Sequence, residues 1–161
     1  MNIGFLTENI GATQCSYFMI GFANKAVEYG LSPVIFQRTL HQPCQQLLCP
    51  CMFMNEAWAY DGVMIATSIG CISQLLQFPS SNKWTKLVCR KRKYYYVWDI
   101  GTNNLKGKVF GPLSKIIANP DVELICRCSD HKAMLENNYN VDVKHVVENF
   151  RFEELLEIIK Q

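Results

Sequence analysis

The sequence predicts an α/β fold: a three-layer, Rossmann-like domain built on a mostly parallel sheet of about five or six strands. Three observations carry this. Short apolar runs recur at Ile3–Leu6, Val63–Ala66, Tyr94–Trp98, Leu124–Cys126 and Val146–Val147. Each run ends in small or polar residues, and most lead into a stretch with helical periodicity. Runs of this length between helices read as strands buried on both faces. Finally, 161 residues with 49% hydrophobic and 19% charged side chains suit a single domain, here 1–161, with a proper core. In open sheets of this kind ligands collect beyond the carboxyl ends of the strands. The punctuating residues therefore mark the expected site edge.

Taken in order, residues 3–7 form a strand and Glu8 to Thr13 a loop. A helix is expected over 14–29, because Tyr17, Phe18, Phe22 and Ala26 recur at three- and four-residue steps. Thr13 suits its N-cap and Gly30 its stop. Pro33 to Gln37 reads as the second strand. Residues 38–60 lack a clear period and are broken by Pro43 and Pro50, with a short helix expected near 53–59. Asp61-Gly62 is a turn that opens the strand at 63–66. Ile69 to Leu76 reads as helix, 80–83 as a polar loop, and 85–89 as a strand end or loop. The strand at 94–98 follows, then a loop at 101–108. A helix is expected over 112–118, with Pro112 at its first position. The remainder reads as strand 122–127, a helix from Ser129 with Ser129 as N-cap, strand 144–148, and a last helix over 152–160. That last helix gathers Phe152, Leu155, Leu156 and Ile159 on one side.

A formal charge of +2 gives no electrostatic ground for nucleic acid as a partner. No apolar run reaches the ~18 residues of a membrane helix. The N-terminus shows no signal-like segment, so a cytoplasmic setting is expected. The eight cysteines are then expected as free thiols used for packing.

Three segments resemble the N-terminal, acceptor-side half of GT-B glycosyltransferases. They are the strand and glycine loop Gly4-Phe5-Leu6-Thr7-Glu8-Asn9-Ile10-Gly11-Ala12-Thr13-Gln14, the strand end Leu124-Ile125-Cys126-Arg127-Cys128-Ser129-Asp130-His131, and Lys144-His145-Val146-Val147-Glu148-Asn149-Phe150. Tyr95-Tyr96-Val97-Trp98-Asp99-Ile100 adds a weaker likeness, mainly to versions encoded by tailed phages. The resemblance implies a glycan or sugar-nucleotide ligand, no cofactor and no metal. Complete enzymes of this kind carry a second, donor-binding domain. The chain stops one helix after the third segment, so the resemblance implies a stand-alone acceptor-side domain or one that works with a separate donor-side protein.

The candidate site residues follow. Gly11 lets backbone approach a ligand, and amides opening the next helix can hold an anion. The resemblance puts Gly11 near a donor pyrophosphate or an acceptor, with Glu8, Asn9 and Thr13 beside it. Asp99 can serve as general base toward a hydroxyl, or can cap a turn. Thr67 and Ser68 can bond sugar hydroxyls, or simply form a turn. Ser129 can contact ligand or cap its helix, and His131 can act as acid or base. Asn149 comes from the third segment. His41, Cys44, Cys49 and Cys51 supply a minority zinc alternative, weakened by the narrow C-P-C pair. Lys86 and the run Arg90 to Lys93, followed by Tyr94, Tyr95 and Tyr96, read first as a solvated strand entrance and second as a phosphate-and-base binder. Trp58, Trp84 and Trp98 can stack on sugars or anchor the core. The rival to a transferase is a non-enzymatic interaction module using the same rim.

Overall fold

The computed structural model describes residues 1–78, 92–99 and 110–161, with backbone alone at 110–113. Its strands are β1 (Asn2–Thr7), β2 (Ser32–Gln37), β3 (Cys51–Phe53), β4 (Val63–Ala66), β5 (Lys93–Val97), β6 (Val122–Cys126) and β7 (His145–Val146). Its helices are α1 (Gln14–Glu28), α2 (Ile69–Gln77), α3 (Phe110–Ile117), α4 (Ser129–Tyr139) and α5 (Phe152–Lys160). The strands form one sheet of order β3-β2-β1-β4-β5-β6-β7. Every pairing among the described residues is parallel. The fold class is as the sequence predicts, with seven strands among the described residues in place of five or six.

The period-2 alternation of buried strands divides the core into two layers. Ile3, Phe5, Ile35, Ile65, Tyr94, Tyr96 and Ile125 pack on one face with α1 and α5. Leu6, Phe36, Met64, Ala66, Tyr95, Val97, Leu124 and Cys126 pack on the other with buried residues of α2, α3 and α4. Phe152, Leu155, Leu156 and Ile159 are buried as their spacing predicts.

Several local expectations are met and several are corrected. Thr13 caps α1, its Oγ1 accepting from the Ser16 amide at 3.1 Å. Gly30 follows that helix at φ +72, the left-handed stop that glycine favours. The short helix near 53–59 is a 3-10 helix over Met54–Ala59. β3 is the strand the sequence does not predict: it holds only three residues, and Met52 and Phe53 are exposed at the sheet edge. Ser129 does not cap α4; Cys128 takes the cap position and makes no side-chain cap bond. The strand expected over 144–148 is shortened to His145–Val146 and runs into a 3-10 turn at Glu148–Phe150. The expectations for 80–83, 85–89 and 101–108, and those for Lys86, Arg90, Lys91, Trp84 and Cys89, lie outside the described residues. So does the side chain of Pro112.

Arg92 and Lys93 are the described part of the basic run, and the solvated strand entrance is corrected at Lys93, which is buried at the start of β5. The Arg92 guanidinium donates to the Ile159 carbonyl at 3.1 Å and to the Tyr94 hydroxyl, capping the last turn of α5. Arg92 therefore joins α5 to the sheet. No helix among the described residues is long and apolar enough to cross a membrane.

Candidate functional site

β1 pairs with β2 on one side and with β4 on the other. The chain leaving β1 enters α1 on one face, while the chain leaving β4 enters α2 on the opposite face. The carboxyl ends of these two strands therefore open a crevice at the topological switch point, where ligands bind in folds of this kind. A cleft of ≈ 410 Å³ lies there. It is lined by Thr7 at the end of β1 with Glu8 and Asn9 after it, by Thr13, Cys15 and Ser16 at the start of α1, by Thr67 to Gly70 after β4, by Tyr95 on β5, and by Trp98 and Asp99 just after β5.

The first loop is held by its own polar groups. Asn9 Oδ1 accepts from the Gly11 amide at 3.0 Å. The Asn9 carbonyl accepts from Thr7 Oγ1 at 3.1 Å and from Ser16 Oγ at 3.3 Å. Thr13 Oγ1 donates to Ser16 Oγ at 2.9 Å. The Gly11 amide is thus engaged by Asn9, and Gly11 stands one bond behind the cleft wall rather than on it.

Glu8 is anchored across the cleft. One carboxylate oxygen accepts from Ser68 Oγ at 2.8 Å, and the other faces Arg38 Nε at 3.4 Å. Ser68 also caps α2, accepting from the Cys71 amide at 3.1 Å. Gly70 makes this approach possible, because a Cβ there would lie 2.6 Å from Glu8 Oε1 and 3.1 Å from an Arg38 nitrogen. A carboxylate at a helix N-terminus is favourably placed against the helix dipole.

Among the described residues Cys15 is the one thiol on the cleft wall, and burial pushes it up to about 12 against the opposing pull of a Thr67 hydrogen bond and the Arg127 charge. An ordinary cysteine ionises near about 8.5. The raised value keeps Cys15 neutral at physiological pH, and its thiolate appears only as pH approaches about 12. Iodoacetamide at pH 8 is expected to leave Cys15 unmodified in the folded protein and to label it after denaturation, read by peptide mass spectrometry. Native labelling at the rate of a free cysteine would contradict this environment. Tyr95, also on the wall, is likewise held in its neutral form by burial.

Of the sequence-predicted residues, the cleft brings together Glu8, Asn9, Thr13, Thr67, Ser68, Trp98 and Asp99. Ser129 and His131 lie at the start of α4, beyond β6 and off the cleft wall. The His131 Nδ1 is buried with no hydrogen-bond partner. Asn149 lines a separate ≈ 340 Å³ cavity against α1, together with Phe18, Gly21 and Phe152. Sequence reasoning missed Cys15, Ser16 and Gly70 as wall residues, and named Tyr95 only as part of the aromatic run after the basic residues. A glycine in the first turn of a helix, two residues after its Ser68 cap as at Gly70, is the signal available for one of them.

The zinc alternative is not assembled. Among the described residues no group of three or more His, Cys, Asp or Glu side chains is disposed to hold a metal. Cys44, Cys49 and Cys51 are free, and the Cys51 sulfur accepts from Gln37 Nε2 at 3.1 Å. No protein-family model, curated protein or solved structure matches the chain.

Proposed function

We propose that this chain is a GT-B-like, acceptor-side domain that binds a glycan or sugar-nucleotide ligand in the switch-point cleft and works with a separate donor-binding protein. The observation that carries the reading is the wall itself. Two carboxylates (Glu8, Asp99) and the hydroxyls of Thr7, Thr13, Ser16, Thr67 and Ser68 surround one cleft that also holds Trp98 and Tyr95. Hydroxyl-rich ligands are recognised by such acceptors and donors beside an aromatic wall. In this reading Asp99, exposed at the rim, takes the proton of an acceptor hydroxyl. His131 loses its candidacy as base because it is off the cleft wall. The reading places the protein in the cytoplasm.

A ligand that binds only the folded state raises its stability by about 2.7 kcal/mol at 100 times Kd. For a chain of this size that is a rise of about 5–10 °C in Tm. UDP-glucose or a neutral oligosaccharide at saturating concentration is expected to produce such a rise, and Asp99→Asn to reduce it by at least half. Flat melting curves with a panel of nucleotide sugars and oligosaccharides would remove the reading. The alternative, an interaction module, has one observation in its favour: Met52, Phe53 and Trp58 are exposed at and just after the edge strand β3.

A further inference from the structure

The geometry points to Arg127 as the residue that selects a phosphate-bearing ligand for the switch-point cleft, an inference that rests on the ligand-binding reading above. Arg127 follows β6 directly, at the carboxyl edge of the sheet, and its backbone amide donates to the Val97 carbonyl at 3.2 Å. Its guanidinium carbon stands 4.1 Å from the centroid of the Trp98 ring, and Trp98 lines the cleft. Its charge also acts on the Cys15 thiol, another wall group. Arg127 does not itself line the cleft; it reaches the cleft through its contact with the wall residue Trp98.

The other described arginines are committed. Arg38 faces Glu8, Arg92 caps α5, and Arg151 binds Glu148 and Glu154. Arg127 has no carboxylate partner among the described residues. Stacking on an aromatic ring uses the face of the guanidinium and leaves its in-plane N–H donors for another acceptor. Those donors form a rigid fork that matches two phosphate oxygens. Trp98 is itself supported, lying 5.9 Å from Phe150 at 17° and 6.0 Å from Phe18. The contact with a supported ring restrains the guanidinium before ligand arrives, which lowers the ordering cost of binding.

The acid side of the cleft is complementary. Glu8 is already balanced by Arg38 and Ser68. A ligand carrying phosphate beside sugar hydroxyls would place the phosphate on Arg127 and the hydroxyls toward Asp99 and Thr67. A neutral glycan would leave Arg127 unused.

The test is isothermal titration of the full chain with inorganic pyrophosphate, UDP-glucose and maltose, comparing wild type with Arg127→Gln and Arg127→Lys. Circular dichroism and melting curves confirm that the variants fold. Pyrophosphate and UDP-glucose are expected to bind wild type, more weakly as NaCl rises. Arg127→Gln is expected to weaken both by about 10- to 100-fold, the range for losing a charge-assisted hydrogen-bond pair. Arg127→Lys keeps the charge but loses the fork, so an intermediate loss is expected. Equal pyrophosphate affinity in wild type and Arg127→Gln would overturn the inference. Asp99-dependent binding of maltose with no binding of pyrophosphate would also overturn it while leaving the proposed function in place. Absence of binding by all three probes would remove both.

Discussion

Phe150→Ala is expected to lower the unfolding free energy by about 3–5 kcal/mol, the usual cost of emptying a buried phenylalanine site. The Phe150 ring is 2% exposed and stacks on Tyr96 at a centroid distance of 3.9 Å and 11°. It also meets Phe5 edge-on at 6.2 Å. Its backbone is held in the left-handed region at φ 54, next to Asn149 at φ 49, a conformation that costs a bulky residue energy. Tyr96 compensates by accepting the Phe150 amide at 3.2 Å while donating to the Val147 carbonyl. Alanine would lose the ring and keep the strain. Glycine would lose the ring and relax the strain, so Phe150→Gly should recover about 1 kcal/mol relative to Phe150→Ala. Urea unfolding of the three proteins reads both effects. A loss below about 1 kcal/mol for alanine would mean that the aromatic cluster does not close this side of the core.

Gly62→Ala carries the second largest effect, expected at about 2–4 kcal/mol from backbone strain and steric overlap together. Gly62 has φ +153, and a Cβ there would lie 2.5 Å from the Asn2 carbonyl oxygen and 2.9 Å from its carbonyl carbon. These are backbone atoms at the start of β1, so nothing flexible can give way. The control is Gly21→Ala in α1, where a Cβ meets nothing within 4 Å. That change should stabilise by about 0.5–1 kcal/mol through helix propensity alone. Thermal unfolding of the pair checks the contrast. Equal Tm values for the two variants would contradict the packing described for the 61–63 turn.

Most of the fold is legible in the sequence because strands buried on both faces leave continuous apolar runs, and Ile3, Phe5 and Leu6 or Met64, Ile65 and Ala66 are fully buried whichever way they point. Thr13 and Gly30 are equally legible, since the cap and the left-handed stop each need a particular residue type. β3 is hidden for the opposite reason. Cys51, Met52 and Phe53 bury no continuous face, and the strand exists because β2 offers it a free edge. Ser129 shows how a good cap residue can miss the cap by one position: β6 ends with its apolar run at Cys126, and α4 already includes Ser129, so Cys128 takes the cap.

The site was partly legible. Polar residues that end β1, β4 and β5 gather at one crevice because strand order brings those ends together. Ser129 and Asn149 end or follow outer strands, and the same order carries them away from it. Strand order depends on long-range pairing that no local pattern encodes. The anchoring of Glu8 by Ser68 and Arg38 joins residues from three strand ends and was hidden for the same reason.

The central claim is that ligand binds at the switch between β1 and β4. Backbone amide NMR during titration with UDP-glucose tests it most directly. The account predicts the largest shift changes at Glu8 to Thr13, Thr67 to Gly70 and Trp98 to Asp99, with the Arg127 side-chain signals moving in parallel. Largest changes around Glu123 and His145, which border a different cavity at the far edge of β6 and β7, with the switch-point residues silent, would contradict it.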